Sequence, residues 1–189
     1  MKKAYLAYGS NMSTEQMSWR CPQAKIIGTG ILKNWRLMFK GDCPKVTTYA
    51  TIEEWRGFKV PFVLWNLGKG EEEKLDRYEG YPKSYKKRYV EVEVNGEKYN
   101  ALIYVKDDTL PVNIACEAYI EVLWEAYEKF GFDLEILEAA RSFSEHHFRL
   151  APPYIYKIDE HYYDAYKGDA NGYDDDFDDD FDFDDEDDE

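Results

Sequence analysis

The chain has 189 residues, 44% hydrophobic and 17% aromatic, with a formal net charge of −15, a length that supports one domain with a substantial core and not two comfortable ones. The acidity is concentrated: residues 173–189 hold 13 of the 39 acids, as 11 Asp and 2 Glu, and no Lys or Arg, so residues 1–172 are near neutral with 26 acids against all 24 bases. A near-neutral body offers no basic face for nucleic acid, and no run of 18 apolar residues is present to cross a membrane.

In chain order, the apolar run at residues 4–8 (AYLAY) predicts a short buried strand that meets a turn at Gly9. Ser13 is placed as a helix N-cap ahead of TEQMSWR, with Gln16 at the capping-box position, and Cys21-Pro22 ends that helix. Between residues 25 and 67 four β-branched and aromatic runs (AKIIGTGIL, WRLMFKG, VTTYATIEEW, KVPFVLWNL) read as four strands, divided by Gly, Asp, Pro and Lys. The charged stretch from Glu71 to Tyr78 predicts a short helix stopped by Gly80. Asn95-Gly96 predicts a hairpin turn between two strands. A helix is expected after Pro111, with Tyr119, Leu123, Tyr127 and Phe130 on one stripe and Gly131 at its end. Asp133 then caps a second helix. Strands gathered ahead of a late helix pair indicate an α+β fold. The expected divisions are a domain over residues 1–150, an extension over 151–168 and a disordered acidic tail over 169–189.

Three cysteines (Cys21, Cys43, Cys116), without a C-x-x-C pair, argue against a disulfide framework and a Cys-rich zinc site. His146 and His147 are adjacent on a helix and point apart, which makes a shared metal ion improbable; His161 stands alone, and Cys21 has no histidine placed to activate it. The opening MKKAYLAYGSNMS lacks the apolar h-region of a signal peptide, so the cytoplasm is the expected location.

Two segments carry chemistry. Tyr8-Gly9-Ser10-Asn11-Met12 joins the first strand to the first helix, so backbone amides converge where an anion is favoured; such turns also arise for structural reasons alone. Leu75-Asp76-Arg77-Tyr78-Glu79-Gly80-Tyr81-Pro82 sets Glu79 at the C-terminal end of a short helix, where the dipole and an aromatic cavity would both raise a carboxyl pKa toward the range of a general acid/base. The competing reading of Glu79 is a solvated surface carboxylate. Tyr8, Tyr85 and Tyr104 are candidates to line a pocket, with a core role as the alternative for Tyr104. Arg20 is a candidate to pair with a carboxylate near the first turn.

With Y-G-S-N-M at 8–12, R-C-P at 20–22, A-T-I at 50–52, V-L-W at 63–65, L-D-R-Y-E-G-Y-P at 75–82 followed by Tyr85, and G-F-D at 131–133, the chain resembles the γ-glutamylcyclotransferase-like (AIG2-like) family over about residues 3–145. The resemblance implies a small mixed β-barrel with helices packed around it and a site at the barrel mouth. It implies that Gly9, Ser10, Asn11 and Met12 hold the α-carboxylate of a glutamyl group and that Glu79 is the acid/base. The implied reaction cyclises a γ-glutamyl amide to 5-oxoproline and releases an amine or amino acid, without metal or cofactor. A specialised-metabolite pathway enzyme with the same chemistry is a narrower form of this reading. The alternative is a non-catalytic relative that uses its acidic, Phe-bearing tail to contact a basic partner.

Overall fold

The run Ala4–Ala7 is apolar at every position and buried at every position, as a central strand covered on both faces must be. It belongs to β1 (Lys2–Ala7), the middle of a five-stranded sheet in a computed structural model that describes residues 2–150. The expected extension (151–168) and acidic tail (169–189) lie outside the described residues. After β1 come a 3₁₀ turn (Ser10–Met12), α1 (Thr14–Arg20), β2 (Lys25–Lys40), β3 (Tyr49–Asn66), α2 (Glu71–Tyr78), β4 (Lys86–Val94), β5 (Glu97–Val105), α3 (Glu117–Phe130) and α4 (Leu134–Leu150).

The sheet order is β2-β3-β1-β5-β4. β1 pairs antiparallel with β3 (Leu6 opposite Leu64) and parallel with β5 (Tyr5 opposite Leu102), so the sheet is mixed and the α+β expectation holds. The expected barrel does not close: β2 and β4 are separate edges. Side chains approach across the opening: Asn95 Nδ2, in the turn after β4, donates to the Ile27 carbonyl at 3.1 Å, and the Arg88 guanidinium of β4 lies 5.2 Å from the Trp35 ring centre of β2.

Two further expectations change. The four β runs of residues 25–67 form two long strands, because Asn34 (φ 62°) and Gly57 (φ 90°) absorb a bulge that bends the hairpin rather than ending it. Asn34 Oδ1 accepts from the Gly57 N–H at 3.1 Å across that bend. The helix expected after Pro111 begins only at Glu117. Residues 111–113 are instead drawn alongside β2: Gly41 N–H donates to the Pro111 carbonyl at 3.2 Å and Asn113 N–H to the Phe39 carbonyl at 3.0 Å. Main-chain pairing outweighs helix propensity there.

Other local readings hold. Ser13 Oγ accepts from Gln16 N–H at 3.3 Å and caps α1. α2 spans the expected residues and Gly80 (φ 62°) follows it. Asn95 (φ 53°) and Gly96 (φ 77°) turn β4 into β5. Leu123 and Tyr127 of the α3 stripe are fully buried, while Tyr119 and Phe130 pack at the margin of the same core.

Candidate active site

β1 ends at Ala7 while β3 and β5 run past it, and the polypeptide turns through Gly9 into the gap. Gly9 sits at φ −113°, outside the left-handed region, so the turn does not demand glycine for its backbone angles. Space there is tight: a Cβ would stand 3.2 Å from the Tyr119 hydroxyl and 3.5 Å from Ala50 Cβ. That hydroxyl accepts from the Ala50 N–H at 3.2 Å. Its oxygen thus lies beside the turn at Gly9.

Asn11 is buried and links the two motif segments. Its Nδ2 donates to Glu79 Oε1 at 2.8 Å and to the Tyr5 hydroxyl at 2.8 Å, and its carbonyl accepts from Trp65 Nε1 at 3.1 Å. Arg20, at the end of α1, donates from Nη1 to Asn11 Oδ1 at 2.5 Å and to Ser10 Oγ at 3.4 Å. Its guanidinium lies 3.7 Å above the Tyr78 ring.

Glu79 follows the last turn of α2, its N–H donating to the Leu75 carbonyl at 2.8 Å. Burial pushes its carboxyl from 4.5 up to about 7, against the opposing pull of Arg20, the Asn11 amide and Lys106. Desolvation is therefore the leading cause, ahead of any contribution from the helix end. A carboxyl near neutrality, bonded by a neutral amide and flanked by two cations, can both take and return a proton at physiological pH.

Tyr5, Tyr8, Tyr85 and Tyr119 surround this carboxyl closely enough for its charge to raise each phenol further, after burial has done most of the work. Their hydroxyls are held: Tyr8 donates to the Tyr104 carbonyl, and Tyr85 to the Ala50 carbonyl at 2.9 Å.

Of the residues singled out from sequence, Tyr8, Gly9, Ser10, Asn11, Tyr85 and Glu79 come together. Two sit differently. The Met12 side chain is fully buried in the core and its N–H is spent on the Gly9 carbonyl at 2.9 Å. The Tyr104 hydroxyl turns away to Asp76 Oδ1 at 2.6 Å, leaving its main-chain carbonyl as its link to Tyr8. Sequence reasoning passed over Tyr5, Tyr119 and Lys106. Tyr119 lies on the stripe that the sequence assigns to the core, and nothing local marks a lysine just past a strand end as buried. Among the described residues no group of three or more His, Cys, Asp or Glu is arranged to hold a metal ion, and no helix is long and apolar enough to cross a membrane.

Comparison with known proteins bears on the family and the fold. The sequence profile described as Gamma-glutamyl cyclotransferase, AIG2-like, matches residues 5–121. A gamma-glutamylcyclotransferase from Bos taurus is 34% identical over 95 residues, covering 48% of this chain and 49% of the bovine protein. The match thus spans about half of that relative. Among solved structures, a gamma-glutamyl cyclotransferase superposes with a TM-score of 0.62 at 24% identity, over 87% of this chain and 98% of its own. An uncharacterized protein from Homo sapiens superposes with a TM-score of 0.61 at 25% identity, over 87% and 97%. The structural likenesses establish the fold, and the sequence matches support cyclotransferase-type activity at the level of the family.

Proposed function

The chain belongs to the gamma-glutamyl cyclotransferase, AIG2-like, family, and on that premise we propose that it is a cytoplasmic enzyme that cyclises a γ-glutamyl amide to 5-oxoproline. The observation that carries the reading is the pairing of Glu79, its carboxyl raised to about 7, with Asn11 of the Gly9–Met12 turn.

In this mechanism the backbone at Gly9, Ser10 and Asn11 and the Tyr119 hydroxyl receive the substrate α-carboxylate. Tyr119 accepts from the Ala50 N–H, which leaves its own O–H proton to donate. Met12 and Tyr104 support the site from behind, Met12 by closing the turn and Tyr104 by fixing Tyr8. Ionised Glu79 takes a proton from the substrate α-ammonium. The freed amine attacks the γ-carbonyl carbon of the same molecule, closing a five-membered ring. Protonated Glu79 then gives that proton to the departing nitrogen as the old C–N bond breaks, and the second proton, which the ring nitrogen sheds on becoming the lactam N–H, ends on the released amine, which leaves as its ammonium. Because nucleophile and carbonyl belong to one molecule, holding the substrate folded supplies much of the rate through effective molarity.

The test is 5-oxoproline release from a panel of γ-glutamyl peptides and amines, comparing wild type with Glu79→Gln. Release by wild type with a loss of about 10²–10⁴-fold in the variant supports the assignment. Equal release by both removes Glu79 from the mechanism.

A further inference from the structure

Lys106 stands immediately after β5 and is 7% exposed, an uncommon burial for a lysine. Its N–H donates to Thr51 Oγ1 at 3.0 Å, which fixes the start of the side chain against β3. Its Nζ donates to the Thr47 carbonyl at 2.9 Å and lies 5.3 Å from the Tyr49 ring centre and 5.2 Å from that of Tyr85. Among the described residues these direct partners are neutral, one carbonyl and two aromatic faces. An ammonium has three donors, and a buried one without an anion at contact distance is costly.

The carboxylates that act on Lys106 do so at longer range. They are Asp42, which is exposed, and Glu79, which at neutral pH carries only part of a charge. The other cation acting on Glu79 is committed: Arg20 is bonded to Asn11 and Ser10 and stacked on Tyr78. One wall of the site, at the Gly9–Met12 turn, therefore carries a cation already engaged. Lys106, where the segment between β2 and β3 meets the end of β5, is close enough to Glu79 for each to act on the other's charge, and among the described residues it has no carboxylate at contact distance.

We propose that Lys106 is a specificity-determining residue that receives a carboxylate borne by the departing amine, so that γ-glutamyl amino acids or peptides are preferred over γ-glutamyl derivatives of simple amines. This rests on the cyclotransferase reading above. The α-carboxylate of the glutamyl part is assigned to the turn, so a second anion on a γ-glutamyl substrate belongs to the leaving part. Thr47 and the rings of Tyr49 and Tyr85 hold the ammonium in place without neutralising it.

The experiment compares γ-glutamyl-L-alanine with γ-glutamyl-L-alaninamide, which differ in one carboxylate, on full-length wild type, Lys106→Gln and Lys106→Arg. Wild type is expected to favour the carboxylate by about 10–100-fold in kcat/KM, the range of a charge-assisted hydrogen bond in a buried site. Lys106→Gln is expected to cut that ratio to about threefold or less, and Lys106→Arg to restore most of it. A wild-type ratio near one overturns the proposal even if Lys106→Gln fails to fold. So does an equal fall for both substrates in Lys106→Gln. If wild type releases 5-oxoproline from neither compound, the cyclotransferase reading fails instead. Calorimetric titration with the same pair then reads Lys106 separately: tighter binding of the carboxylate form, lost in Lys106→Gln, supports the cation site, and equal binding refutes it.

Discussion

Asn11 Nδ2 donates to Glu79 Oε1 at 2.8 Å across 68 residues of sequence, and Asn11 Oδ1 takes the 2.5 Å bond from Arg20. One buried amide thus faces a carboxyl and a guanidinium in opposite senses and keeps them from pairing directly. Replacing Asn11 with Ala removes a donor that favours ionised Glu79. The acidic limb of kcat/KM, expected near pH 7, should move up by about one unit. A pH profile of 5-oxoproline release measures it. A midpoint that falls instead would mean that Arg20 has closed on Glu79.

The same carboxyl makes stability depend on pH in a defined direction. Burial raises Glu79 from 4.5 to about 7, so folding takes up a proton between those values. Its contribution is fully favourable below pH 4.5 and is lost as pH rises through about 7, a difference of about 3 kcal/mol. Glu79→Gln cannot titrate. Between pH 4 and pH 8 its unfolding free energy should rise relative to wild type by about that amount, measured by urea denaturation. A difference that stays flat with pH would show that Glu79 is not desolvated in solution.

Much of this site was legible because it is local. Gly9 to Met12 and Leu75 to Pro82 are continuous segments whose turn and helix-end chemistry can be read from residue type. Ser13, Asn95-Gly96 and Asp133 mark their elements for the same reason, each acting on backbone within three residues. What was not legible depends on distant chain. Nothing beside Tyr119 in sequence says that its hydroxyl meets Ala50, and nothing beside Lys106 says that Thr47 awaits it. The late start of α3 has the same origin, since residues 111–113 take their partners from Phe39 and Gly41. The barrel failed to close because closure depends on the register of edges far apart in sequence.

Gly41→Ala tests the segment that holds Lys106. A Cβ there would lie 2.6 Å from the Thr47 carbonyl carbon and 2.7 Å from Thr48 Cα, backbone atoms that cannot swing aside. The substitution should displace Thr47 and with it the acceptor of Lys106. The expected stability loss is about 2 kcal/mol. KM for γ-glutamyl-L-alanine should rise more than kcat falls, because the chemistry at Glu79 is anchored elsewhere. Thermal unfolding and steady-state kinetics check the two halves. A variant with wild-type stability and KM would show that the segment between β2 and β3 relaxes freely.

Glu71 supplies the last test, because its sequence setting, within EEEK, suggests a solvated charge and its position is the reverse. It is 1% exposed, and its two carboxylate oxygens accept from the Gln23 and Gly68 N–H groups at 2.6 Å each. The side chain thereby ties the connection after α1 to the start of α2, the helix that delivers Glu79. Glu71→Ala leaves two partly buried N–H donors without an acceptor, at a cost of about 2 kcal/mol. Glu71→Gln keeps one acceptor and turns an NH₂ toward the other donor, so it should also destabilise, by less. Urea denaturation of both variants gives the order. A loss below about 1 kcal/mol in Glu71→Ala would mean that water replaces the carboxylate, and that the start of α2 is held by its packing around Leu75 rather than by this clasp.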